Sequence, residues 1–203
     1  MAAERDRPGA SSAEVSILCS GYVHQSDDPQ VSRVASTVAF VRDGDTRVII
    51  DPGMVSDQQS ILAPLVALGE SPATITDVIF SHHHPDHTLN AALFLNARFH
   101  DYWAIYQGDS WRDRRAEGYE VSPSIRLIET PGHTPQDITT LVGTSDGVVA
   151  FTHLWWFASG PAEDPLGDDM EAIHRNRERV LRVATLIVPG HGEPFVPDKS
   201  TPR

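Results

Sequence analysis

From Glu14 onward, short runs of β-branched and apolar residues alternate with polar punctuation: "EVSILCSGYV", "ASTVAFV" and "TRVIIDPG". Runs of this length and composition predict strands. The last two are joined by "RDGD", whose Asp43-Gly44 pair favours a tight hairpin turn. The period then changes. In "DQQSILAPLVALGES", Ile61, Leu62, Leu65, Val66 and Leu68 recur at helical spacing, with Gly69 at the end and Pro64 able to shift the start. "TDVIFSH" returns to a short buried strand and "HTLNAALFLNA" to a helix. The second half repeats the order. "IRLIET", "ITTLVGT" and "GVVAFTH" read as strands, an Arg- and Glu-rich helix spans residues 168–183, and "TLIVPGHG" supplies a last strand. No short-period repeat occurs, which excludes a solenoid. Residues 107–123 and 158–168 are polar and predict long loops, both candidates for lids over a site.

A chain of 203 residues fits one core better than two, and 40% hydrophobic residues place it among globular proteins. The expected organisation is a disordered tail over 1–13, a single domain over 14–197 and a short C-terminal tail over 198–203. A formal charge of -12 repels phosphate backbones, so nucleic acid is disfavoured as a partner. The local basic stretch "WRDRRAEG" is interleaved with acids and reads as a solvated loop. The lone cysteine, Cys19, excludes an internal disulfide, suits a reducing cytosol and reads as a buried small hydrophobe. "MAAERDRPGASSA" lacks the apolar centre of a leader, and no run approaches membrane-spanning length. A cytoplasmic protein without membrane attachment is expected.

The chemistry concentrates in "SHHHPDHTLN", where four histidines and an aspartate fall within six positions, between a strand's end and a helix's start. Such a junction presents side chains from a rigid base. His82 and His84 alternate, so their rings leave one side of an extended segment. Asp86 and His87 follow where the chain turns into the helix. Two further histidines, His133 in "TPGHTPQD" and His191 in "VPGHGEP", sit in short Pro-Gly turns that leave room beside a metal. Unliganded imidazoles packed together would repel on protonation and gain nothing, so metal binding is the economical account. His83 points opposite to its neighbours, and His24, His100 and His174 read as surface or satisfied core.

The pattern His82, His84, Asp86, His87, together with "TPGH" at His133 and "PGHG" at His191, resembles the metallo-β-lactamase superfamily of hydrolases. Asp51 of "VIIDPG" resembles the family's structural aspartate, which supports the metal-binding loop from behind. Within the superfamily, "TPGHTPQD" and "IVPGHG" look most like the small proteins called metallo-β-lactamase domain-containing protein 1. The resemblance implies an α/β, four-layer αβ/βα sandwich with a metal site at one edge of the sheets. It implies one metal on His82, His84 and His133, and a second on Asp86, His87 and His191. The family usually places a metal-bridging aspartate after the strand read as "GVVAFTH", where this chain has His153. An imidazole offers one lone pair at a time, so His153 can ligate one metal but not bridge two. Three outcomes stay open: two metals with His153 on the second, a single metal, or His153 as a proton donor. Ligation of the second is preferred.

A nitrogen-rich set without thiolate suits Zn2+ first, with Fe, Mn and Co as alternatives. The implied reaction is hydrolysis of a small-molecule ester, lactone, thioester or amide by a metal-activated hydroxide that Asp86 orients. Asp137 has two readings, acceptor for a ligand's ring N–H or capping of a turn. Three adjacent aromatics follow His153, and Trp155 and Trp156 are the candidates to line a substrate pocket. The rivals are a nuclease of the same fold, a mononuclear iron enzyme oxidising sulfur, and a non-catalytic metal-binding protein. A small-molecule substrate is the expected partner, with a homodimer left open.

Overall fold

The computed structural model describes residues 2–203; residue 1 of the expected N-terminal tail lies outside the described residues. A seven-stranded sheet takes the order β1 (Glu14–Cys19), β4 (Val38–Asp43), β5 (Thr46–Ile50), β6 (Asp77–Ile79), β7 (Arg98–His100), β8 (Ala104–Gln107) and β9 (Ser110–Asp113). A five-stranded sheet runs β10 (Glu120–Ser122), β11 (Ile125–Glu129), β12 (Ile138–Thr144), β13 (Gly147–Thr152) and β14 (Leu186–Pro189). β2 (Tyr22–Gln25) and β3 (Ser32–Ala35) form a separate hairpin. The helices are α1 (Ala2–Asp6), α2 (Gln59–Ala67), α3 (Pro85–Thr88) and α4 (Met170–Leu181).

Alternation along the strands gives each sheet two apolar faces, and both are used. Ala39, Val41, Val48, Ile50 and Ile79 meet Leu127, Val142, Val149, Phe151 and Val188 between the sheets. The outer face of the first sheet buries Phe40, Ile49 and Val78 under Ile61 and Leu65 of α2. The outer face of the second buries Leu141, Ala150 and Ile187 under Ile173 and Val180 of α4. The layers are therefore helix, sheet, sheet, helix, the expected αβ/βα sandwich.

Five local expectations are corrected. The hairpin after β4 centres on Gly44 and Asp45, because Asp43 pairs with Thr46 as the last strand residue. Asp43 instead turns a buried carboxylate toward Ser12, Ser122 and Ser124, at 2.9, 2.6 and 3.0 Å, and so ties both sheets together. "HTLNAALFLNA" yields only α3 and a 3-10 segment, Leu89–Phe94, in which the buried Asn90 donates its side-chain amide to the Gly53 carbonyl at 3.1 Å. Residues 107–123 are no lid, since β9 pairs with β8 and β10 with β11.

The termini are the fourth case. Asp6 pairs with Arg179 of α4 at 2.7 Å, and Ala13 donates to the Gly143 carbonyl at 3.1 Å. A side chain on Gly143 would strike the Ala10 carbonyl, so the bare backbone is what lets this segment lie on β12. Arg203 pairs with Glu178 at 2.8 Å, and the Pro202 carbonyl accepts from the Trp155 indole at 2.8 Å. Among the described residues, the segments expected as tails are thus tied down at Asp6, Ala13, Pro202 and Arg203 by ion pairs and polar contacts that composition does not reveal.

Trp155, expected at a pocket mouth, is wholly buried with Ile173, Val180 and Ile187. Arg177 lies over its ring at 5.5 Å. Trp155→Ala is expected to destabilise the fold by about 3–5 kcal/mol in urea unfolding, through lost apolar contact and a residual cavity. Unchanged stability would contradict this packing.

Candidate metal centre

Strand direction explains why histidines so distant in sequence meet. β5 and β6 run parallel in one sheet, β13 and β14 in the other, and β11 is antiparallel to β12, hence parallel to β13. The residues that follow these strands share one rim: Asp51, then Ser81–His84, His133, His153 and His191. Backbone hydrogen bonds join the two sheets there, from Ile138 N to Ser81 O at 2.8 Å and from Thr37 N to Gly190 O at 2.8 Å. Pro85 opens α3 at its first helical position, which places Asp86 and His87 in the first turn.

All seven residues predicted as ligands converge. The ring nitrogens of His82 (Nε2) and His133 (Nε2) lie 3.0 and 3.1 Å from His84 Nδ1. Tetrahedral nitrogen ligands of zinc stand about 3.3 Å apart, so both separations are close to one edge of a coordination tetrahedron. A second group forms from Asp86, His87 and His191, with Asp86 Oδ2 3.6 Å from His87 Nε2 and 3.5 Å from His191 Nε2. His153 stands between the groups, its Nε2 3.1 Å from His191 Nε2 and its ring centroid 4.1 Å from that of His133. Five of the six rings are buried, and His84 is partly exposed.

Acceptors behind the rings fix which nitrogen faces inward. His87 Nδ1 donates to Asp51 Oδ2 at 2.9 Å, His133 Nδ1 to Asp164 Oδ2 at 2.8 Å, and His191 Nδ1 to the Ala35 carbonyl at 2.9 Å. Each of these rings in its neutral form must then present an Nε2 lone pair to the centre. His87 Nε2 and His153 Nδ1 are buried with no hydrogen-bond partner. Burial and mutual proximity push His82 and His153 well below the usual histidine range. His191 is lowered to about 4 by burial and then by His87. His87 is raised, because the neighbouring Asp51 carboxylate outweighs its burial.

Asp51 supports the loop from behind as expected, at a φ of 48°, with Oδ1 accepting from Ser81 N at 2.7 Å. Asp137 takes the turn-capping role: it accepts from Thr134 N at 2.8 Å and Thr134 Oγ1 at 2.5 Å, and burial raises it to about 6. The acceptor for a ligand's N–H is Asp164 instead, in the loop over residues 158–168. Sequence reasoning missed it because several carboxylates crowd "AEDPLGDD" without periodicity to select one. Trp156 stands at the site, its ring centroid 6.0 to 6.3 Å from those of His191, His153 and His133. His83 turns away, to Asp101 Oδ2 at 3.1 Å and onto Trp103. His100 pairs with Asp77 at 2.7 Å, and His24 and His174 are exposed. Gly190 was also missed: a Cβ there would lie 2.5 Å from the His153 ring, so only glycine leaves this imidazole its place.

Residues 31–192 match the family model described as the metallo-beta-lactamase superfamily. The chain is 35% identical over 165 residues to metallo-beta-lactamase domain-containing protein 1 of Xenopus laevis, covering 75% of this chain and 69% of that protein. A crystal structure of a metallo-beta-lactamase from Thermotoga maritima superposes with a TM-score of 0.74 at 24% identity, over 92% of this chain and all of the other. An N-acyl homoserine lactone hydrolase, solved with N-hexanoyl-L-homoserine at its catalytic metal centre, superposes with a TM-score of 0.64 at 18% identity, over 89% and 93%. With the family model spanning most of the chain and the ligand pattern gathered on one rim, the chain belongs to the metallo-beta-lactamase superfamily of hydrolases.

Proposed function

We propose that this chain is a zinc-dependent hydrolase of a small-molecule ester, lactone, thioester or amide. The observation that carries the reading is the convergence of the His87, His133 and His191 lone pairs, fixed from behind by Asp51, Asp164 and the Ala35 carbonyl, on one buried rim where His87 Nε2 finds no hydrogen-bond partner, an arrangement a cation satisfies. His82, His84 and His133 would hold one ion and Asp86, His87 and His191 a second; His153, whose Nε2 lies 3.1 Å from His191 Nε2, would be a further donor to the second. Zinc is favoured because the donors are imidazole and carboxylate without thiolate. When bound, such an ion lowers the pKa of water toward neutrality and polarises the oxygen of the bond under attack.

The protein's own groups supply orientation. The Asp86 carboxylate, 16% exposed, is placed to accept a hydrogen bond from an attacking water. Trp156 offers a flat apolar wall for an acyl chain or ring. The lactone hydrolase of the same fold supports a carbonyl substrate, and a charge of -12 opposes a nucleic-acid one.

Elemental analysis is expected to find zinc in the purified protein, up to two ions per chain. His84→Ala should remove one equivalent and lower kcat/KM on an N-acyl lactone or aryl ester by about a thousandfold or more. Full turnover after exhaustive chelation would refute the reading. Gly190→Ala is expected to drive the His153 ring from its place and weaken the second ion selectively, measured by chelator competition with circular dichroism as the check on folding.

Acidity supplies another test. His82, His84, His153 and His191 are all lowered by burial and by neighbouring histidines, from an ordinary value of 6.5. Below that value the unfolded chain takes up protons that the folded rings refuse, so metal-free protein should lose stability as pH falls from about 6.5 toward about 4. His87, shifted the other way, offsets only part of this loss. Urea midpoints across this window measure the effect, and a midpoint rising on acidification would contradict it.

A further inference from the structure

The loop over residues 158–168 carries one carboxylate with three engagements. Asp164 Oδ2 accepts from His133 Nδ1 at 2.8 Å and from the Trp156 indole N–H at 3.0 Å, while Oδ1 accepts from Leu166 N at 2.9 Å. The Asp164 side chain is 2% exposed, and its oxygens are occupied by N–H donors, which makes it an outer support of the centre rather than a ligand. The loop is itself pinned from beneath. Arg177 of α4, wholly buried, donates to the carbonyls of Pro161 at 2.7 Å, Ala162 at 2.6 Å and Leu154 at 2.8 Å. Its guanidinium thus ties the loop to the residue that follows His153 on the chain. A continuous path of short contacts runs from α4 through the loop to a ring of the centre and to the aromatic wall beside it.

We propose that Asp164 is a positioning residue that sets, through the same oxygen, both the orientation and tautomer of His133 and the place of the Trp156 wall, with Arg177 anchoring the loop that carries it. The inference rests on the hydrolase reading for the use of the wall, but not for the tautomer. A carboxylate oxygen shared by two N–H donors holds both in one geometry. A shift of the His133 ring on taking up an ion therefore moves the acceptor of the indole. Metal occupancy and the shape of the apolar wall become coupled without direct contact between metal and indole. Outer acceptors of this kind typically change metal affinity 10- to 100-fold, by about that ratio when removed.

The test uses the full-length protein, Asp164→Asn and Trp156→Phe, with 15N-imidazole spectra and zinc titrations by chelator competition. An amide cannot replace the carboxylate without displacement, because its N–H end must face either the His133 and Trp156 donors or Leu166 N, and the second orientation pushes away the loop that holds the acceptor in place. Asp164→Asn should therefore move the metal-free His133 spectrum away from the pure Nδ1–H form and weaken one zinc site about 10- to 100-fold, leaving the other within about twofold. Zinc should change tryptophan fluorescence in the wild type, and Trp156→Phe and Asp164→Asn should each abolish that change. Trp156→Phe keeps the carboxylate, so it reports on the coupling even if the Asn variant folds poorly. An unchanged His133 spectrum and zinc affinity in Asp164→Asn, or a fluorescence response that survives Trp156→Phe, would overturn the inference. A wild type that binds zinc and gives the expected spectra but hydrolyses no ester or lactone would overturn the reaction assignment and leave the coupling standing.

Discussion

The structure turns on acceptors placed behind imidazole rings. Asp51, Asp164 and the Ala35 carbonyl each take an N–H from His87, His133 and His191. This forces the opposite nitrogens, as lone pairs, into one shared space. Convergence of that kind is costly for a protein alone, since lone pairs gather in a buried space and His87 Nε2 and His153 Nδ1 find no hydrogen-bond partner. A cation bound only by the folded state offsets this cost and adds stability by mass action, about 2.7 kcal/mol at a hundredfold excess over its dissociation constant. Folding and metal binding are therefore linked here through the same rings.

Everything upstream of the site serves that placement. The sheets must bring the ends of β5, β6, β11, β13 and β14 to a single rim, and the bonds from Ile138 to Ser81 and from Thr37 to Gly190 hold the two sheets' loops in register there. A slip of one residue in β6 would send the rings of His82 and His84 to the opposite face. The core between the sheets resists such a slip, because Ile79 and Val78 are buried on opposite faces of the same strand. The positive φ of Asp51 shows the backbone bent to aim a carboxylate at Ser81 N and His87 at once.

The strands, α2, α4 and the histidine pattern were legible because each carries local information: period, turn chemistry, or ligand spacing. What escaped depended on long-range partners. Trp155 and Trp156 are adjacent and chemically alike, yet one enters the α4 layer and the other faces the centre, and alternation alone does not say which. Asp164 could not be distinguished from Asp168 or Asp169 before the loop was pinned by Arg177. The 3-10 segment after α3 follows from Asn90 reaching Gly53, which sits 37 residues earlier. The termini looked unstructured because their partners, Arg179 and Glu178, lie on a helix far along the chain.

His153 is where the centre departs from the ligand pattern of the family it resembles. The resemblance leads one to expect a carboxylate at that position, and a neutral ring there leaves a two-ion centre one unit more positive than a carboxylate would. The chain accommodates the larger group through Gly190, whose missing side chain is the space the ring occupies. Its Nε2 lies 3.1 Å from His191 Nε2 while its ring centroid is 4.1 Å from that of His133, so the imidazole stands between the two triads with one lone pair at most to give to either. Two ions held without a carboxylate bridge would repel more strongly, and the excess charge must be met by water, substrate or the surrounding acids. Asp51, Asp86 and Asp164 lie within or directly behind the centre, which is where a site with one anion fewer most needs them.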